Sequence, residues 1–177
     1  NGEPWSKYAA GYMWGVTGII YNPEDVTKQE ASTWKIINND KFRRMITVKD
    51  NVRDTMFAAI GAIKSDKLRS QDFIRQADYT DKLAEEMNDT SKDTVDEVLE
   101  YLQQVKDNVY SFETDSGKID AITGKISAGY QWSGDAVYIM QQAEANDVEL
   151  NFAIPEECTN MYFDGWAMSV SYTHLRA

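Results

Sequence analysis

The chain has 177 residues, 42% of them hydrophobic and 12% aromatic, and a formal net charge of −11. That length and apolar content fit one ordinary domain with a sizeable core and exclude a disordered chain. The acidic balance argues against nucleic acid or an anionic membrane surface as a partner and favours cationic ligands. The single cysteine, Cys158, excludes an internal disulfide framework and a thiolate zinc cluster.

Taken in order, Gly11–Asn22 reads as a strand with apolar residues on both faces, either buried on both sides or a long crossover; Asn22-Pro23 ends it. Ser32 or Thr33 can cap a short helix holding Trp34, Ile36 and Ile37. Met45–Val48 is a short strand, and Asp50 and Asn51 offer caps to a helix from Val52 to about Lys64 with Met56, Phe57, Ile60 and Ile63 on one face. Ser65–Asp89 is charged, its apolar residues scattered, and reads as a peripheral helical insertion. A cleaner helix spans Lys92–Lys106, with Val95, Val98, Leu99, Leu102 and Val105 at helical spacing as a core stripe. Val109–Phe112 is a strand, and Asp115-Ser116-Gly117 opens a short helix. The apolar strand Ile126–Gln131 breaks at Trp132-Ser133-Gly134 and turns at once into a helix that ends near Asn146-Asp147. Val148–Ile154 is a strand, Pro155–Asn160 a loop, and Met161–Val170 a last apolar strand interrupted by Asp164-Gly165. This alternation predicts an α/β domain with a mainly parallel sheet flanked by helices.

In such a sheet, ligands sit beyond the carboxyl ends of the strands, where helix N-termini point free N–H groups outward. Trp132 stands at that position. Its indole either offers a flat face to a cation or an apolar chain, or simply packs the turn. Acids gather at the same ends. Asp54 and Asp135 fall in first turns of helices, where carboxylates also favour the helix dipole, and Asp115 suits a turn or cap. Asp164, between Phe163 and Trp166, is expected to be buried and so to need a partner. Common phosphate, metal and nucleophile motifs are absent from the sequence, and its one histidine, His174, lies in the C-terminal stretch, so a Ser-His-Asp or Cys-His device is not expected. A glycosidase would need paired carboxylates, for instance Asp54 with Asp164, and the sequence shows no such pair. No catalytic residue, metal ligand or cofactor is assigned.

Four stretches together carry a resemblance: Tyr12-Met13-Trp14-Gly15-Val16-Thr17-Gly18-Ile19, Asp50-Asn51-Val52-Arg53-Asp54-Thr55-Met56, Tyr130-Gln131-Trp132-Ser133-Gly134-Asp135-Ala136 and Tyr162-Phe163-Asp164-Gly165-Trp166. In this order the chain resembles the spermidine/putrescine-binding proteins of bacterial ABC importers, which are two-lobed and have the type II periplasmic-binding fold. The likeness runs from about Tyr12 to Met168. It implies that residues 1–22 are the end of the first lobe and the crossover, 23–160 the second lobe with 65–89 as an insertion, 161–170 the return crossover, and 171–177 a foreign or truncated tail. On this reading the chain is a second-lobe fragment.

The resemblance also implies a non-enzymatic, monomeric extracytoplasmic protein, periplasmic or held as a lipoprotein on the outer face of the cell membrane. It would deliver putrescine or spermidine to the permease subunits of an ABC transporter. Polar and acidic side chains at Asn51 and Asp54 would hold ligand amines, Trp132 would stack on the methylene chain, and Asp164 would pair an ammonium near Tyr162. With Trp14 and Asp115, the candidate ligand-binding set is Trp14, Asn51, Asp54, Asp115, Trp132, Tyr162 and Asp164. Asn51 stands where some members have an acid and Tyr162 where many have tryptophan, and both bear on which amine is taken. The alternative is a binding protein of the same fold for another small solute, such as thiamine, Fe³⁺ or another cation.

Overall fold

The computed structural model describes residues 2–168; the 171–177 tail and His174 lie outside the described residues. After a 3-10 turn at Trp5–Lys7, the chain forms β1 (Ala10–Tyr21), α1 (Lys28–Ala31) and 3-10 turns at Trp34–Asn38 and Asp40–Phe42. Then come β2 (Ile46–Lys49), α2 (Val52–Ile63), α3 (Ser65–Leu68), α4 (Gln71–Ile74), α5 (Tyr79–Met87) and α6 (Lys92–Asn108). The rest is β3 (Ser111–Glu113), α7 (Gly117–Ile122), β4 (Ala128–Trp132), α8 (Ser133–Glu144), β5 (Asn151–Ala153) and β6 (Met161–Trp166). Local chemistry sets several of these boundaries. Thr33, Asn51, Ser70 and Ser91 each cap the helix or turn that follows by accepting a backbone N–H.

The sheet order is β3-β2-β4-β1-β5, with β6 paired to β1. The expected parallel arrangement holds for β3-β2-β4. Around β1 the sheet is antiparallel, because β1 runs the opposite way past β4, β5 and β6. A single strand thus serves two structures. Thr17–Tyr21 is a central sheet strand, while Ala10–Val16 continues beyond the sheet as one arm of a ribbon whose other arm is β6.

Side-chain alternation along β1 sends Ile19 and Ile20 into different cores on the two faces. On one face Ile19, Trp34, Ile46, Val48 and Tyr130 pack with α2 and α6 residues; on the other Ile20, Ile126, Ile139 and Leu150 pack with α7 and α8 residues. Trp34 is the centre of the first. It is fully buried, donates its Nε1–H to the Cys158 carbonyl at 3.0 Å, and meets Phe57 and Tyr130 edge-on.

The 65–89 segment is helical, as expected, but it is more than a surface addition. Leu68, Phe73 and Met87 bury with Ala59, Ile60 and Val98 in a third core. Its apolar residues look scattered because three short helices share the work. The stripe on α6 needs correction: Val98 and Val105 are buried, whereas Val95 and Leu99 are exposed. At about 100° per residue, Val98 and Val105 lie within about 20° of each other, and Val95 and Leu99 are rotated away from them by about 60–120°. Asp164 also departs from expectation. It is exposed, because the ribbon runs past the sheet and no helix among the described residues covers it.

Gly61 tests the packing around Trp34. A Cβ there would stand 2.5 Å from the indole Cδ1. Alanine is the better helix former by about 1 kcal/mol, but overpacking a rigid ring costs about 1–3 kcal/mol. Gly61→Ala is therefore expected to lower stability by up to about 2 kcal/mol in denaturant unfolding. A gain would mean that the ring is free to move.

Candidate functional site

Parallel pairing sends the carboxyl ends of β2, β3 and β4 to one edge of the domain, and the ribbon leaves from the same edge. There Tyr12, Met13, Arg53, Trp132, Gly134, Asp135, Asn160 and residues 161–164 line an open cleft of about 620 Å³. Its floor is the β4–α8 turn. Trp132 ends β4 and precedes the first residue of α8, so the strand delivers the indole to the lip of a helix N-terminus. The turn is clamped to β1, where Val16 N–H donates to Ser133 Oγ at 3.1 Å. Gly15 makes that approach possible: a Cβ there would meet the Tyr162 hydroxyl at 2.3 Å and Ser133 Oγ at 2.6 Å. Tyr162, paired with Gly15 across the ribbon, thus lies against the turn that carries Trp132.

Trp132 is held from behind. Its Nε1–H donates to Asp54 Oδ2 at 3.1 Å. The same oxygen accepts from Asn51 Nδ2 at 2.9 Å, and Oδ1 accepts from Arg53 Nε at 3.2 Å. Asn51 Oδ1 in turn accepts the Asp54 backbone N–H at 2.8 Å, the cap of α2. Both Asp54 oxygens are thereby engaged and the residue is fully buried. A buried carboxylate demands such a set of donors. The Lys49 ammonium lies 4.4 Å from the centre of the Trp132 ring, within cation–π range. Lys49 is itself fully buried; it donates to the Thr114 carbonyl at 2.9 Å and stands 3.7 Å from Glu113 Oε1. Burial pushes its pKa down, and Glu113 and Asp135 oppose that shift. Glu113 is locked by its other oxygen, which accepts the Gly117 N–H at 2.8 Å.

Beside the turn, Lys118 bridges Asp115 and Asp135, at 3.0 Å to each. Partial burial pulls its pKa down, but hydrogen bonds to the two carboxylates outweigh this and hold it above the ordinary lysine range. In the cleft the structure therefore brings together Trp132, Tyr162 and Asp164 of the candidate set. Asn51 and Asp54 join them through Trp132, from behind the wall rather than as part of the cleft lining. Asp115 sits to one side with Lys118. Trp14 pairs with Phe163, and alternation turns it to the face of the ribbon opposite Met13 and Gly15, where it is 69% exposed. Lys49, Arg53, Lys118 and Ser133 also belong to the site, although none is in the candidate set. Only Lys118 left a signal, its three-residue spacing from Asp115. Among the described residues no group of three His, Cys, Asp or Glu side chains is arranged to hold a metal ion, and no helix is long and apolar enough to cross a membrane.

The family model described as bacterial extracellular solute-binding protein matches residues 2–177. The chain belongs to that family. Its members bind solutes and are not enzymes. Among curated relatives, the chain is similar to the putrescine-binding periplasmic protein PotF of Escherichia coli, at 24% identity over 169 residues, covering 94% of this chain and 43% of the relative. Among solved structures it is similar to the spermidine/putrescine substrate-binding protein PotD of Streptococcus pneumoniae, with TM-score 0.70 and 20% identity. A putative spermidine/putrescine transporter structure from Listeria monocytogenes matches with TM-score 0.71 and 23% identity. Each of these two matches covers 92% of this chain and 42% of the other. The fold is that of type II periplasmic-binding proteins, and the chain spans less than half the length of these relatives.

The hold on Trp132 gives a test that needs no ligand. Asp54→Ala leaves the indole N–H and the Asn51 amide without their acceptor, at a cost of about 1–3 kcal/mol in stability. It is also expected to change the near-ultraviolet circular dichroism of the folded protein, and the change should vanish in a Trp132→Phe background. An unaltered spectrum would show that Asp54 does not orient the ring.

Proposed function

We propose that this chain forms one wall of the ligand cleft of an extracytoplasmic binding protein that delivers a polyamine, putrescine or spermidine, to an ABC transporter. The observation that carries the reading is the Trp132 indole, anchored by a buried carboxylate, sharing one cleft with Tyr162 and the exposed acid Asp164. A linear diamine presents ammonium groups joined by methylenes. It needs acids for its ends and flat apolar faces between them. The relatives are putrescine- and spermidine/putrescine-binding periplasmic proteins, which supports the same solute class and an extracytoplasmic location. Permease subunits as partners and a monomeric state are part of the proposal.

The two-lobed reading assigns the residues to lobes as the sequence suggests: crossover to residue 22, second lobe over 23–160, return strand from 161. The ribbon supports it. Tyr12, Trp14, Met161, Phe163 and Trp166 are all more than half exposed, an apolar surface that a neighbouring lobe would cover. Closure of two walls over the ligand would remove water and strengthen each ionic contact, whereas an exposed pair contributes only about 0–1 kcal/mol.

Calorimetry of the two-lobed protein with putrescine, spermidine, thiamine and ferric ion separates the polyamine reading from the other solutes. The present chain alone is expected to bind polyamine far more weakly than the two-lobed protein. In the latter, Asp164→Asn is expected to cost about 2–5 kcal/mol of polyamine affinity, because the ligand ammonium loses its partner in a closed cleft. Trp132→Ala should cost less, about 1–2 kcal/mol, through lost stacking. Undiminished binding by Asp164→Asn would remove the anchor of the assignment.

A further inference from the structure

The cleft wall already contains ammonium groups of its own. Asp54 is paired with Arg53, Glu113 with Lys49, and Asp115 and Asp135 with the single Lys118. Of the two acids that line the cleft, Asp135 is paired with Lys118 and Asp164 is in no ion pair among the described residues. Lys49 occupies one face of the Trp132 ring, the kind of place where a ligand ammonium could otherwise rest. Lys49 and Glu113 are sealed inside, with side-chain exposures of 0% and 2%, so that pair is part of the frame. Lys118 differs. It is about one-quarter exposed, its partner Asp135 lines the cleft beside Trp132, and its other partner Asp115 opens to solvent.

We propose that Lys118 is a specificity-determining residue, an internal counter-cation that pre-empts Asp115 and Asp135 and so sets the cleft to accept a diamine in preference to a triamine. This rests on the polyamine reading above. A diamine can place one ammonium at Asp164 and its other end against the opposite wall. A triamine carries one more charge and needs one more acid. The acid in reach of Trp132 is Asp135, and Lys118 already holds it. A third ammonium there must either displace a well-bonded lysine or lie beside a like charge, and both disfavour binding.

The test is calorimetric titration of the two-lobed protein with putrescine and spermidine at fixed ionic strength. Lys118→Met is expected to raise spermidine affinity by about 5–20-fold and putrescine affinity by less than about 3-fold, as one released carboxylate favours the more highly charged ligand. Lys118→Arg, which can keep both bridges, should retain the parent's ratio. Lys125→Met is the control for overall charge: it removes the same charge from a lysine paired with Asp120, which does not line the cleft. A spermidine-to-putrescine ratio in Lys118→Met within about twofold of the parent's overturns the proposal. So does an equal shift in Lys125→Met. Should Lys118→Met fail to fold, Asp115→Asn carries the test with the opposite sign, since Lys118 then rests on Asp135 alone and the ratio must move towards putrescine; an unmoved ratio overturns the proposal there too. Failure of the parent to bind either amine is a different result: it overturns the polyamine reading itself, and this inference with it.

Discussion

The hydrogen bond from the Trp132 indole to the buried Asp54 carboxylate ties together the two halves of the site. One partner ends β4 and the other lies in the first turn of α2, 78 residues apart. Asp54 can be buried only because Asn51 and Arg53 satisfy it together with the indole. Without those donors, a carboxylate at this depth would be costly. The cap of α2, the charge of Asp54 and the orientation of Trp132 are thus one network, whose parts stabilise each other. Most of the cleft is arranged around that fixed ring, with Lys49 over one face and Tyr162 against the turn.

β1 supplies the second constraint. Its last residues are central in the sheet, and its first residues form the ribbon with β6. Because it runs antiparallel to β4, its ribbon half emerges at the end where β2, β3 and β4 deliver their carboxyl termini. The cleft therefore forms where a rigid sheet edge meets a projecting two-stranded arm. The sheet face is well packed, while the arm leaves large aromatic groups exposed. In the proposed two-lobed protein this is the apolar surface that the neighbouring lobe would cover.

Electrostatics then decides what the wall can offer. Carboxylates at strand ends suggest a strongly acidic site when counted alone. The lysines change that picture, since Lys49 pairs with Glu113 and the single Lys118 is shared between Asp115 and Asp135. What faces the cleft is the Trp132 indole, the Tyr12 and Tyr162 phenols, the Arg53 guanidinium, an acid shared with Lys118 and one acid without a partner among the described residues. On the proposed reading, that balance suits a small, modestly charged amine.

Much of this was written in local sequence. Thr33 and Asn51 cap as their side chains dictate, Asn22-Pro23 ends β1, and Trp132-Ser133-Gly134 turns from strand to helix where the apolar run stops. These are short-range effects, complete within a few residues, so the chain by itself determined the elements, the α/β class and the position of Trp132 at a strand end. Tertiary structure alone decided that Asp54 turns inward to hold an indole, that Asp164 stands exposed, that Lys49 pairs with Glu113 and that Lys118 reaches Asp135. Lys49 and Glu113 lie on neighbouring parallel strands, and Lys118 reaches Asp135 across the space between α7 and α8. Partnerships of this kind depend on which strand ends the fold brings side by side, and no spacing along the chain encodes them.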